Sequence, residues 1–406
     1  MLGQELGQGL GQEPDHGREA APATRRPRGR PAPIPAIVVT GFLGAGKTTL
    51  LNEWAQAGAL KDTVVLINEF GEIPIDHLLV ERIDGDMLLL ASGCLCCTIR
   101  GDLVSALENL LRRLDNGRIA PFARLIIETT GLADPVPVLQ TLCGHPYFAL
   151  RFRLDGLITL VDAANGAATL ARHREARRQA ATADRIVLTK TDLAPEAAPA
   201  LRDALAVLNP TAPVLDRARG EADAEALLRP SRTPEAGLWM DAIGHAQEIG
   251  RAQENGHAHE HSHAHEHGHE HGHAHDRNAH DETIRAFCLT HDAPIAPAAL
   301  DLFLRLLQTA HGPRLLRAKG LVALDDDPAR PLVIHAAQHV LHPPVRLSAW
   351  PGGDRRTRIV LIFDGVDQAG VESLFASVCG DIAPDRADLA ALRANPLDPR
   401  PAGLLG

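Results

Sequence analysis

This chain has few aromatic rings, few lysines and few thiols. One tyrosine, three tryptophans and nine phenylalanines make up 3% of the residues, which argues against an aromatic platform for stacked bases. A formal net charge of −10 points the same way, away from a nucleic-acid partner. No apolar run approaches the roughly 18 residues of a membrane span, so no membrane partner is expected. Residues 1–35 lack an apolar core segment, which excludes a secretory signal. Their Gly, Gln, Pro, Arg and Ala content reads as a disordered extension or an over-extended gene start. Six cysteines in 406 residues, three of them crowded together, do not make a disulfide scaffold and fit a reducing cytosol. Of 41 basic residues only Lys47, Lys61, Lys190 and Lys319 are lysine, and two of these fall inside the motifs below.

What the chain does contain is a phosphate cradle. Gly41-Phe42-Leu43-Gly44-Ala45-Gly46-Lys47-Thr48 is a P-loop, followed by Thr49 and an apolar helical stretch. The apolar run Ala36–Val39 precedes it as a strand, which is the context the motif needs. Gly41, Gly44, Ala45 and Gly46 let backbone N–H groups turn toward phosphate oxygens. The helix opening near Lys47 aims its positive end at the same anion. Lys47 is expected to reach the β- and γ-phosphates, and the Thr48 hydroxyl to ligate Mg²⁺.

The surrounding pattern predicts an α/β fold: a P-loop NTPase with a doubly wound, mostly parallel sheet. Strands are expected at 36–40, 63–67, 86–91, 123–128, 155–161, 185–190 and 212–215, with helices at 48–58, 100–114, 134–142, 164–182 and 196–208. Continuous apolar strands such as Leu125–Ile127 and Ile186–Leu188 suit a sheet covered on both faces. This nucleotide-binding domain is expected over residues 36–230. A flexible linker follows at 231–282, then a smaller α+β domain at 283–382 and a disordered tail at 383–406.

Two further segments fit a GTPase. Glu128-Thr129-Thr130-Gly131 leaves a buried strand where a γ-phosphate sensor would sit; Glu128 is a candidate Mg²⁺ holder and Gly131 a candidate γ-phosphate contact. Thr189-Lys190-Thr191-Asp192 follows another strand. The Asp192 carboxylate is suited to accept hydrogen bonds from guanine N1–H and N2–H₂, and the Lys190 stem to cover the ring. Asparagine is the usual first residue of such a motif. Threonine has no amide to bridge, which leaves the base preference open. The sequence marks no water-orienting base.

A different chemistry is written in sulfur and imidazole. Cys94, Cys96 and Cys97 place three soft donors in four residues, suited to Zn²⁺ and also to Co²⁺ or Cu(I). Three protein ligands leave a fourth position open, and an adjacent helix start favours the thiolates. Glu69 and Glu72, after the strand ending near Ile67, are candidate Mg²⁺ or bridging ligands. His257, His259, His261, His263, His265, His267, His269, His271, His273 and His275 alternate with small or acidic residues. That tract suits flexible capture of Zn²⁺, Ni²⁺ or Co²⁺, weakening as pH falls through ~6.5. A solubilising linker would share its composition. Cys143, Cys288 and Cys379 stand alone and read as core residues.

Taken together these segments resemble the CobW family of metallochaperone GTPases, relatives of the urease and hydrogenase accessory GTPases. The likeness rests on GFLGAGKTTLLN at 41–52, NEFGE at 68–72, GCLCCTIRGDL at 93–103, ETTGLADP at 128–135, LVDA at 160–163 and ADRIVLTKTDL at 183–193. It continues in Arg317-Ala318-Lys319-Gly320, the His339 region and Trp350-Pro351, and spans roughly residues 36–380. Thr189 in place of asparagine and Pro74 in place of a commoner glycine are the departures. The resemblance implies slow GTP hydrolysis and delivery of a transition metal, zinc first, to a client metalloprotein or a cofactor-synthesis enzyme. It implies Cys94, Cys96 and Cys97 as ligands, Lys47 and Thr48 on phosphates and Mg²⁺, and Asp192 on guanine. Cobalt delivery for cobalamin synthesis, a nucleotide-dependent kinase, and a non-catalytic metal store or sensor stand as alternatives. Oligomeric state is left open.

Overall fold

The computed structural model describes residues 32–68, 80–83, 87–92, 99–228, 284–338 and 340–380. The expected three-cysteine segment, Glu69, Glu72 and the histidine tract lie outside the described residues.

Eight strands form the first sheet: β1 (Ile34–Gly41), β2 (Thr63–Asn68), β3 (Val80–Ile83), β4 (Met87–Ser92), β5 (Arg124–Glu128), β6 (Phe152–Asp162), β7 (Arg185–Thr189) and β8 (Val214–Asp216). Their order is β3-β4-β2-β5-β1-β6-β7-β8. Every neighbouring pair is parallel except β3 with β4. The expected doubly wound sheet is therefore present, with an antiparallel edge strand that periodicity missed. β1 reads Ile-Pro-Ala-Ile-Val-Val-Thr-Gly without alternation because helices cover both of its faces. Ala36 and Val38 face one core with Leu107 and Leu139; Ile37 and Val39 face another with Leu50 and Trp54.

The chain runs outward from β1 to β4, returns to β5 beside β1, and then crosses to β6 on the other flank. Carboxyl ends of β5, β1 and β6 thus surround the point where the winding reverses, which in open α/β sheets is where ligands bind. Helix Lys47–Gln56 follows β1, and helices Gly166–Arg172 and Arg174–Thr182 follow β6. One continuous helix over 164–182 was expected. It breaks at His173, whose backbone is extended (φ −118°, ψ 114°).

The second sheet is antiparallel: β9 (Ile284–His291), β10 (Leu315–Val322), β11 (Leu332–Ala337), β12 (Val340–Leu341), β13 (Val345–Arg346) and β14 (Thr357–Asp364). Its main order is β12-β11-β10-β14-β9, with β13 on β11. Helices Pro297–His311 and Gln368–Cys379 contribute Leu300, Phe303, Leu307, Val371 and Phe375 to a core with Phe287, Leu289, Leu361 and Phe363. Helix Arg174–Thr182 lies against β9 and β10, with Ala181, Leu316 and Ile362 in contact. All eight residues of β10 are buried, Arg317 and Lys319 included. The expected core placement fits Cys379, which is buried, and Cys143, which packs on the first core. Burial pushes the Cys143 thiol up to about 12 and the Cys379 thiol to about 11. Cys288 is half-buried.

Candidate nucleotide-binding site

β1 delivers the P-loop at its carboxyl end. Gly41 has φ 143°, and a Cβ there would lie 2.4 Å from the Leu160 carbonyl oxygen of β6. Only glycine fits, so the strand can turn while still paired with β6. Gly44 and Gly46 also hold left-handed φ values, 74° and 91°. Gly46 caps helix Lys47–Gln56, leaving the first helical amides directed into the loop. Lys47 Nζ donates to the carbonyls of Gly41 at 2.8 Å and Phe42 at 3.3 Å, folded back across the cradle. Thr48 and Thr49 are exposed on the first turn.

β5 brings the second group. Its register sets Glu128 opposite Val39, two residues before the end of β1. The buried Glu128 carboxylate accepts a hydrogen bond from Thr48 Oγ1 through Oε1 at 2.8 Å. Two oxygens 80 residues apart in sequence therefore meet beside the cradle. Thr129 donates its hydroxyl to Thr40 at 2.7 Å and fixes the exit from β5 to β1. The turn then presses on the P-loop: a Cβ on Gly131 would come within 2.6 Å of Leu43 N.

The third group arrives on β7. Thr189 is buried and donates its hydroxyl to the Ala45 carbonyl at 2.9 Å. The expected loss of a bridge is thus corrected: a hydroxyl replaces the amide and still ties this loop to the cradle. Lys190 has φ 58°, a sparsely populated conformation for a non-glycine residue. Its Nζ pairs with Asp162 Oδ2 at 2.7 Å. Burial would raise the Asp162 carboxyl, but Lys190, Asn165 and the Ala164 amide hold it below its ordinary value. Thr191 donates to the buried Asp216 of β8 at 2.7 Å, and Asp192 remains exposed beside it.

Several residues that organise this site escaped the sequence. Gln179 is buried and donates through Nε2 to the carbonyls of Gly131 at 3.1 Å and Ala133 at 2.9 Å. Arg178 donates through Nε to Asp134 at 2.9 Å, and its Nη1 reaches Asp364 at the end of β14. Asp162 and Asp216 sit at strand ends, but their partners are 28 and 25 residues distant. A strand-terminal carboxylate was the only available signal, and it is a common one.

Among the described residues no group of three His, Cys, Asp or Glu side chains is arranged to hold a metal ion. The described flanks of the cysteine segment are β4, ending at Ser92, and helix Ile99–Asp115. β4 is three strands from β1 in the sheet, roughly 14 Å at ordinary strand spacing. No helix in the described residues is long and apolar enough to cross a membrane.

Fold and site together define a P-loop nucleotide-binding protein carrying an appended antiparallel domain. The chain belongs to the CobW/HypB/UreG family. The model of that nucleotide-binding domain matches residues 35–216, and the model of the cobalamin synthesis protein CobW C-terminal domain matches 284–379. The zinc chaperone YjiA of Escherichia coli is 32% identical over 350 residues, covering 86% of this chain and 98% of the relative. The zinc-regulated GTPase metalloprotein activator 1 of Schizosaccharomyces pombe is 34% identical over 199 residues, 47% of each chain. A crystal structure of Zn(II)-bound YjiA GTPase superimposes with a TM-score of 0.60 at 27% identity, covering 86% of this chain and 99% of that one.

Proposed function

We propose that this protein hydrolyses GTP slowly and carries a transition metal, zinc first, to a client metalloprotein or cofactor-synthesis enzyme. The observation that carries the nucleotide half is the meeting of Thr48 and Glu128 at 2.8 Å beside Lys47. The metal half is supported by zinc-handling relatives and by three crowded thiols in the sequence.

In this reading Lys47 leaves the Gly41 and Phe42 carbonyls and turns its ammonium to the β- and γ-phosphates. Neutral carbonyls are weak competitors for an ammonium when a phosphate arrives. Backbone amides of Gly44, Ala45, Gly46, Thr48 and Thr49 cradle the phosphates. Thr48 and Glu128 offer hard oxygen donors, the set that Mg²⁺ takes. Held by Thr48 and Glu128, Mg²⁺ would supply positive charge to offset that of the phosphates. The Gly131 amide reads the γ-phosphate, and loss of that phosphate relaxes the turn. Asp192 selects guanine, Lys190 covers the ring, and Thr189 couples their loop to the cradle.

Cargo metal is held by Cys94, Cys96 and Cys97, with Glu72 bridging toward the nucleotide and the histidine tract at 257–275 buffering supply. Nucleotide and metal then influence one another equally, since coupling is reciprocal. The test compares the full-length protein with Cys96→Ala for GTP affinity and turnover without metal and with Zn²⁺, Co²⁺ or Ni²⁺. Phosphate release with no added acceptor, and a Zn²⁺ effect lost in the variant, are expected. Identical responses of the two proteins would end the coupling idea. Phosphate transfer only to an added small acceptor would make the protein a kinase. Deleting 256–276 is expected to lower metal stoichiometry and spare GTP binding.

A further inference from the structure

Residues 129–134 form no helix or strand, yet they are gripped from two sides. On one side Gly131 abuts the P-loop at Leu43. On the other stands Gln179, 1% exposed, in helix Arg174–Thr182. Its Nε2 donates to both Gly131 O and Ala133 O. Its Oε1 is buried with no hydrogen-bond partner in the described structure. The two side-chain hydrogen bonds of this amide therefore both go to the turn. If the turn moved away, the whole buried amide would be stranded, and stranding a buried donor is costly. A cavity of about 160 Å³ opens beside the pair, lined in part by Phe42, Leu43, Asp162 and Gln179, which leaves room for displacement.

The neighbouring Arg178 carries the same turn to the second sheet. Asp134 accepts from Arg178 through Oδ2 and from the Val136 amide through Oδ1 at 3.0 Å. The other arm of Arg178 meets Asp364, which also accepts from Arg174 Nη2 at 2.8 Å. Asp364 is 5% exposed, so its charge depends on these arginines. One helix thus holds the turn by two consecutive side chains and is itself anchored to β14.

We infer that Gln179 and Arg178 are positioning residues for the turn that reads the γ-phosphate, and that Asp364 makes their grip depend on the docked C-terminal sheet. This rests on the GTPase reading. The turn is held in place before nucleotide arrives, and disturbance of the second sheet reaches the phosphate site through one arginine.

The experiment uses the full-length protein and the variants Gln179→Met, Gln179→Asn, Asp364→Asn and the double variant Gln179→Met/Asp364→Asn. It measures GTP kcat and KM, and GDP affinity with a fluorescent GDP analogue. Gln179→Met is expected to lower kcat about tenfold while GDP affinity stays within about twofold, because GDP lacks the phosphate the turn reads. Asp364→Asn is expected to lower kcat about threefold, and the double variant to fall short of the product of the two losses. Gln179→Asn, which keeps an amide one methylene short, is expected to recover part of the rate. Turnover of Gln179→Met within about twofold of wild type overturns the inference. So does an equal loss of GDP and GTP affinity, which marks Gln179 as packing alone. Should Gln179→Met not fold, Asp364→Asn decides: full turnover there overturns the link to the second sheet. A wild type that releases no phosphate from GTP overturns the GTPase reading and this inference with it.

Discussion

Lys47 and Lys319 are equally buried, each 9% exposed, and their surroundings differ in kind. Lys47 Nζ meets backbone carbonyls in a loop whose neighbour Leu43 is 59% exposed. Lys319 Nζ meets the Thr211 carbonyl at 3.1 Å and the buried Asp184 carboxylate at 3.5 Å. Asp184 also pairs with Arg317, itself fully buried, and lies 3.5 Å from His335 Nε2. Burial would raise the Asp184 carboxyl, but Arg317, Lys319 and the Leu157 amide hold it far below its ordinary value. Burial and the nearby Arg317 push Lys319 down to about 8. One cluster carries its counter-ion within the fold and joins the two sheets. The other sets its cation against the Gly41 and Phe42 carbonyls at the mouth of the cradle.

Removing the built-in anion is the harshest way to break this comparison. Asp184→Ala leaves Arg317 and Lys319 buried without their carboxylate. Such a loss typically costs about 3–5 kcal/mol, and urea denaturation followed by circular dichroism is the measurement. Nucleotide affinity of the fraction that folds is expected to stay near wild type. If Asp184→Ala melts normally, the cluster does not hold the sheets together.

Lys47→Ala is the opposite case. We expect GTP affinity to fall about ten- to hundredfold, the worth of a charge-assisted contact to phosphate. Thermal stability without nucleotide is expected to change less than in Asp184→Ala. A variant that binds GTP normally by isothermal titration would reverse the assignment of the cradle.

Thr189 tests the seam between structure and ligand. Thr189→Val keeps the shape and strips the hydroxyl from the Ala45 carbonyl. An unmet buried acceptor costs about 1–3 kcal/mol. We expect a several-fold loss of GTP affinity with loosened discrimination against ATP. Thr189→Asn is expected to retain both. Equal behaviour of the valine and asparagine variants would show that the tether to Ala45 is immaterial.

The same contrast explains what could be read from the chain. The cradle was legible because its parts lie within eight residues, and the backbone geometry of glycine enforces them locally. The doubly wound sheet was legible because strands buried on both faces read as unbroken apolar runs, as in Leu125–Ile127. β3 was not, because Val-Glu-Arg-Ile on a sheet edge is short and half polar. The break at His173 has no mark in the sequence, since Arg172-His173-Arg174 contains neither glycine nor proline. Asp184 stands in the motif at 183–193, but nothing there names its partner: it lies 133 residues from Arg317, and it precedes a strand as any helix-ending acid would. Arg317 and Lys319 stand in a motif that carries no hint that they are interior. Pairing across domains is a property of docking, and local periodicity does not encode it. Arg178 and Asp364 escaped for the same reason, and the motif at 128–135 shows Asp134 without its partner.

His335 offers the finest test of the sealed cluster. Burial, followed by the adjacent Arg317, holds its imidazole well below the ordinary value, so it stays neutral in the fold. In the unfolded chain it takes up a proton near pH 6.5. Below that pH the unfolded state therefore binds more protons than the folded one, and stability falls as pH falls. Asp184, Lys319, Arg317 and the ring of His342, stacked at 4.6 Å, are the groups that face it. For one such histidine the loss between pH 7 and pH 6 is about 0.7 kcal/mol. His335→Gln removes that contribution and leaves His342 and the other histidines in place, so the difference between the two stability profiles isolates it. We expect the variant's profile, from urea titrations at each pH, to be flatter over this window. Parallel profiles would mean that His335 takes up its proton equally in the folded and unfolded chain, so that burial beside Arg317 does not hold it neutral.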